Sequence, residues 1–199
     1  MPKQVDHRRR RDDIARAMWT VVDQRGWAGA SLREVAAEAG MSLGQVQHYF
    51  ASRNELLEFA VQAASDQTSR RVARGMEELG ESPHPRDVVR LILVEILPLH
   101  PDARPTSRIH AACVLEALHN ESMREQIGSG MRDGRDGLKQ LVTQAQANAQ
   151  IDPDRDPDTE TDLLLALTGF TPLLELGVVP PSDVIAAIET HLDNLFATT

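Results

Sequence analysis

The sequence predicts an all-α protein of about nine helices, and three observations carry that reading. First, helix-start signatures follow one another closely: Ser31 with Glu34, Ser42 with Gln45, and Ser52 with Glu55. Each is a capping box, in which the serine oxygen accepts a first-turn N–H and the acid or amide reaches back to the serine N–H. Second, one stripe recurs at three- and four-residue spacings, Leu57, Val61, Ala64, Thr68, Val72, Met76 and Leu79, apolar except for Thr68, the period of one helix face. Third, the breaks are rich in Gly, Pro and Asp, notably Gly80–Pro85 and Ile151–Asp158, which suits turns between helices.

At 199 residues the chain is long enough for one large or two small domains. Aromatic residues make up only 4%, so the core must be built from Leu, Val, Ile and Ala. The net charge of −9 is uneven: residues 1–55 hold nine Lys/Arg against seven Asp/Glu, and the remainder twelve against 23. A mildly basic head on an acidic body fits a head that meets phosphate, although an acidic body is also common in soluble proteins. Cys113 is the lone cysteine, which excludes an intramolecular disulfide and suits a reducing cytoplasm. No apolar run approaches the ~20 residues of a membrane span, and the basic N-terminus lacks the apolar stretch of a signal peptide.

In chain order, residues 1–7 read as a disordered start. Arg8, Arg9, Arg10 and Arg11 then lead into a helix carrying Ile14, Ala17, Met18, Val21 and Val22, which ends near Gly26. Trp27 is expected as a core plug. Ser31 opens a short helix with Leu32, Val35, Ala36 and Ala39 on one face. Gly40 permits a sharp turn, and Ser42 opens a second short helix with Val46 and Phe50 inward. Two short helices about a tight glycine turn form a helix-turn-helix, whose second helix lies in the DNA major groove. Gln45, Gln47, His48 and Tyr49 are left facing outward or sideways. Glutamine can pair bidentately with adenine, and Gly44 lets the backbone approach DNA closely. Gln45 has a competing role as the far half of its capping box. The four arginines read as phosphate or minor-groove contacts or as a solvated tail.

This stretch resembles the DNA-binding domain of the TetR family of bacterial regulators. The matching residues are Gly26-Trp27, Ser31-Leu32, Val35-Ala36, Ala39-Gly40-Met41-Ser42, Gly44, Val46, Tyr49-Phe50, Arg53 and Leu56. Gln47 stands where tyrosine is frequent and Arg53 where lysine is frequent. The resemblance implies base contacts from Gln45, Gln47 and His48 and phosphate contacts from Ser42, Tyr49 and Arg53. Ser31, Arg33 and Leu43 complete the expected DNA-facing set. The domain boundary is expected near residue 53, giving a head of 1–53 and a ligand-binding and dimerisation body of 54–199.

In the body, Asn54–Leu79 reads as one long helix, and Val88–Leu99 as a helix apolar nearly all round and therefore buried. Glu95 and Glu116 sit among apolar neighbours. Each either faces a cavity or pairs with an arginine, with Arg90, Arg104 and Arg108 available. Candidate pocket residues are Leu91, Glu95, His110, Cys113, Glu116 and Phe170. A metal site using His110, Cys113, Glu116 and His119 together fails on geometry, because steps of three residues carry the two histidines to opposite sides of a helix. No metal or other cofactor is expected. Gly128, Gly130, Gly134 and Gly137 in the helix 122–150 imply close contact, a kink or mobility. Ser182 reads as the cap of the last helix.

The apolar helices at the C-terminus either complete the chain's own core or pair with a second copy. Residues 104–196 resemble the BetI-type C-terminal domain, in which this helix pair forms the dimer interface. The interface residues this implies are Leu163, Leu167, Leu174, Val184, Ile188, Leu192 and Leu195. The whole reads as a cytoplasmic, dimeric repressor released from a palindromic operator by a small molecule. The alternatives are an activator or ligand-independent DNA-binding protein and, more remotely, an enzyme or small-molecule binding protein. No hydrolase, zinc-protease, P-loop or dinucleotide motif is present.

Overall fold

The computed structural model describes residues 2–197, and the described residues are helical with no strand. The helices are α1 (Pro2–Gly29), α2 (Leu32–Glu38), α3 (Leu43–Tyr49), α4 (Arg53–Leu79), α5 (Pro85–Ile96), α6 (Arg104–Ala117), α7 (Glu121–Ala147), α8 (Pro157–Leu167), α9 (Thr171–Glu175) and α10 (Pro181–Leu195). A 3-10 turn, Thr168–Phe170, joins α8 to α9. The chain divides into two compact units, Met1–Gln67 with Arg108–Arg124 and Thr68–Ser107 with Glu125–Thr199. The first unit therefore runs past residue 53 and takes in most of α6, and α4, α6 and α7 each have residues in both units.

The first unit has an aliphatic core. Ile14, Met18, Val35, Val46, Phe50, Leu56 and Ala64 are fully buried. α1 starts at Pro2, so the stretch expected as a disordered start continues the helix. The helix breaks at Gly26, where φ 69° and ψ 175° lie in a region essentially reserved for glycine. Trp27 is half-buried rather than a core plug. The buried indole is Trp19, whose Nε1–H donates to the Ala60 carbonyl at 3.0 Å and ties α1 to α4. Gly40 has φ 65° and provides the turn between α2 and α3. The third capping signature is realised one residue early: the Glu55 N–H donates to Ser52 Oγ, while the Glu55 carboxylate accepts from the Ala51 N–H.

In the second unit, α5, α7, α8 and α10 share one core of Val89, Leu93, Leu97, Leu138, Val142, Ala145, Ile151, Leu164, Val184, Ile188, Leu192 and Leu195. α5 is one-sided rather than apolar all round, since Ile96 is exposed while Val88, Val89 and Leu93 are buried. α10 starts after Pro180 without a side-chain cap, and Ser182 lies inside its first turn. Of the α7 glycines, a methyl group at Gly130, Gly134 or Gly137 would meet nothing within 4 Å, so close helix contact does not explain them. Gly75 does mark a close approach, because a methyl group there would strike Leu91 of α5 at 2.4 Å.

Ion pairs fasten the helices of this unit at their rims. Arg86 donates to Glu189 at 2.6 Å and to Asp193 at 2.5 Å, and Arg90 also donates to Glu189. Arg135 reaches Asp158 and Asp162, and Lys139 reaches Asp158. Hydrogen bonding from Arg90 holds the Glu189 carboxyl below its ordinary value of 4.5, with burial opposing it and a hydrogen bond from Arg86 adding to it. A lowered carboxylate stabilises the fold above the unfolded value, and that stability is lost as pH falls through the folded one. Glu189→Gln is therefore expected to cost about 1 kcal/mol near neutral pH, discounted for partial exposure, and to flatten the stability profile below pH 4.5. Urea titrations at pH 7 and pH 3.5 check both.

Candidate nucleic-acid interface

α2 and α3 are placed by their caps. Ser31 Oγ accepts from the Glu34 N–H, and Glu34 accepts from the Ser31 N–H and from Arg25. Those bonds from Ser31, followed by Arg25, hold the Glu34 carboxyl below the usual carboxylate range. At α3, Ser42 Oγ accepts from the Gln45 N–H at 3.2 Å, and Gln45 Oε1 accepts from the Ser42 N–H at 2.8 Å. Gln45 is thus held on its own backbone through its oxygen, with only the amide nitrogen left to face outward.

The other outward positions of α3 are open. Gly44, Gln47 and His48 are exposed, and a methyl group at Gly44 would meet nothing within 4 Å. The fold itself gives no reason for glycine there. Leu43 and Tyr49 are half-buried, and the Tyr49 ring lies between His7 of α1 at 4.9 Å and His48 at 5.4 Å. Arg8, Arg9, Arg10 and Arg33 are exposed.

Two arginines of the expected DNA-facing set are engaged inside the unit. Arg11 is half-buried, with its guanidinium 4.6 Å from the Phe50 ring and 4.4 Å from the Phe59 ring, and 3.5 Å from the Glu55 carboxylate. Its place in the arginine run hid this, because only the helix period separates it from its exposed neighbours. Arg53 donates from Nε to the Ala30 carbonyl and from Nη2 to the Trp27 carbonyl, both at 2.6 Å. These two bonds close the α1–α2 turn onto the start of α4.

The expected pocket residues are divided between the two units. Leu91, Glu95 and Phe170 belong to the second unit, and His110, Cys113 and Glu116 to the first. Leu91 lies against Gly75. His110 Nε2 is 3.0 Å from Ser65 Oγ. Cys113 is fully buried, and burial together with nearby Glu116 pushes its thiol up to about 12, the state of an inert cysteine. Glu95 pairs with Arg71 at 2.7 Å and not with Arg90, Arg104 or Arg108. That partner was missed because Arg71 sits on α4, in a different helix from any arginine near Glu95 in sequence. Among the described residues no three His, Cys, Asp or Glu side chains converge as metal ligands.

The implied dimer interface needs correction on the same grounds. Val184, Ile188, Leu192 and Leu195 are buried in the second unit's own core and offer no surface to a partner. The apolar side chains left exposed near the C-terminus are Leu163, Leu173, Leu176 and Val178. Leu167 and Leu174 are half-buried.

A capped helix-turn-helix followed by a helical unit defines a class, the helix-turn-helix regulators of transcription. Comparison with known proteins gives the family. Residues 14–60 match the model for bacterial regulatory proteins of the tetR family, and residues 85–197 match the C-terminal domain of BetI-type transcriptional repressors. The HTH-type transcriptional regulator PksA of Bacillus subtilis (strain 168) is 37% identical over 151 residues, covering 70% of this chain and 72% of that protein. A TetR-family regulator from Rhodococcus sp. superposes with a TM-score of 0.80 at 25% identity, over 94% of this chain and 98% of that one. A regulator from Saccharomonospora viridis solved in complex with choline shares the fold, with a TM-score of 0.79 at 18% identity over 94% and 97% of the two chains. The chain belongs to the TetR family and is a transcriptional regulator of the TetR/BetI type, not an enzyme.

Two substitutions separate fold from recognition in the head. Gly44→Ala replaces a helical glycine in open space, so it should stabilise the protein by up to ~1 kcal/mol while weakening DNA binding. Arg53→Ala removes two charge-assisted bonds and should destabilise it by about 2 kcal/mol. Thermal melts beside DNA titrations check each. A Gly44→Ala protein with unchanged DNA affinity would show that the backbone of α3 does not approach DNA there.

Proposed function

We propose that the protein is a dimeric repressor that holds a palindromic operator and is released from it by a small molecule. The observation that carries this reading is the outer face of α3. Gly44, Gln47 and His48 are exposed, and the Gln47 side chain is not drawn into a cap, whereas Ser42 and Ser52 on either side are. Such a face suits readout of base edges by Gln47 and His48, with Gln45 contributing through its amide nitrogen. Arg8, Arg9, Arg10 and Arg33 supply the phosphate term, which sets register and salt dependence but carries no sequence information. Ser31, Ser42 and Tyr49 border the same surface.

A single head reads one half-site, so a two-fold dimer fits a palindrome. The exposed residues Leu163, Leu173, Leu176 and Val178 suit the apolar centre of that interface. The head takes in residues 1–53 and the body 54–199, and the ligand is bound in the body. α4, unbroken from Arg53 to Leu79, is the element through which occupancy of the body would reach the head. Choline is not carried over from the related structure. The chain is poor in the aromatic rings that cage quaternary amines, and Glu95 is already paired with Arg71. The alternatives of activation or ligand-independent binding are separated by where the site lies relative to a promoter.

Enrichment of genomic fragments by the purified protein, followed by sequencing, tests the reading. A short palindrome beside a promoter is the expected result. Absence of enrichment at moderate salt would overturn it.

A further inference from the structure

Arg71 lies within the second unit at 5% exposure. Its Nε donates to Glu95 Oε2 at 2.7 Å. Its Nη2 donates to the Glu95 carbonyl at 2.9 Å, to Thr106 Oγ1 at 3.0 Å and to Thr68 Oγ1 at 3.2 Å. The Thr106 hydroxyl is itself oriented, donating to the Ala103 carbonyl at 3.0 Å. The remaining nitrogen, Nη1, is enclosed and has no acceptor. A buried guanidinium fork with one tine unpaired is rare, because each enclosed N–H without a partner keeps its full desolvation cost.

The charges around it say what is missing. Glu95 provides one carboxylate, shared between Arg71 and His100, whose Nε2 lies 3.2 Å from the same Oε2. The cluster therefore has donors in excess and no acid left for a cation. We infer that Arg71 is the recognition point for an acidic small molecule, whose carboxylate accepts from the unpaired Nη1. Three helices hold the fork in place: α4 through Thr68, α5 through Glu95 and α6 through Thr106. A guanidinium pre-oriented in this way favours a planar carboxylate over a compact cation or an alcohol. The consequence for DNA release rests on the repressor reading above, whereas the binding itself does not.

The test uses the full chain in low-chloride buffer. Acetate, hexanoate and decanoate are each compared with the alcohol and the trimethylammonium of equal length, by thermal shift and calorimetric titration. At least one carboxylate should bind tenfold or more tightly than both of its matched partners. Arg71→Lys, which keeps the charge but loses the fork, should abolish that preference. Arg71→Met with Glu95→Leu removes both charges, leaves neither buried alone, and should abolish it too in a protein that circular dichroism shows to be folded. No carboxylate preference in the unaltered chain, or a preference that survives in the folded variants, overturns the inference. Loss of the acid preference with operator binding intact would remove this site and leave the regulator standing. A bound carboxylate that leaves the operator complex untouched would sustain the site and remove its role in release.

Discussion

The fork of Arg53 on two backbone carbonyls is the constraint on which the head depends. Ala30 and Trp27 lie in the turn between α1 and α2, where Gly26 has already broken the first helix. The Trp27 carbonyl also accepts from the Ala30 N–H at 3.2 Å, and buried turn carbonyls are held best when a further donor reaches them. Arg53 supplies it from the first residue of α4, so one side chain fixes the turn before the helix-turn-helix to the helix that follows it. Arg11 works alongside, its guanidinium against Phe50 and Phe59 and near Glu55. With those joints closed, the capped helices α2 and α3 have a defined frame that presents the outer face of α3.

α4 carries a second arginine with the opposite character. Arg53 is half-buried, and its Nε and Nη2 close on carbonyls of the turn. Arg71 is buried with a fork that the protein leaves partly open. One helix thus bears a joint belonging to the head and, further along, a charged centre belonging to the second unit.

The capping boxes at Ser31 and Ser42 and the apolar spacing made the helices and the helix-turn-helix legible in the sequence, because both depend on residues within a turn or two of each other. Long-range pairing was not legible. Arg53 and Arg11 were placed at DNA by their position in a motif and a charge run, whereas their partners lie in elements distant along the chain. Glu95 reads as facing a cavity or pairing with Arg90, Arg104 or Arg108, and its partner Arg71 is 24 residues away. Val184, Ile188, Leu192 and Leu195 read as an interface because an apolar helix face looks alike whether its cover is its own chain or a twin. The structure shows that the cover is α5, α7 and α8 of the same unit.

The central claim is that α3 reads bases and that Gln47 is the reader least engaged by the fold. The most direct test measures the affinity of the unaltered protein and of Gln47→Ala for an enriched fragment and for every single base-pair change across one half-site. The account predicts that Gln47→Ala loses discrimination at one base pair, mirrored in the second half-site, by about 1–3 kcal/mol, with its salt dependence unchanged. A uniform loss across all base pairs, or no loss at all, would contradict it.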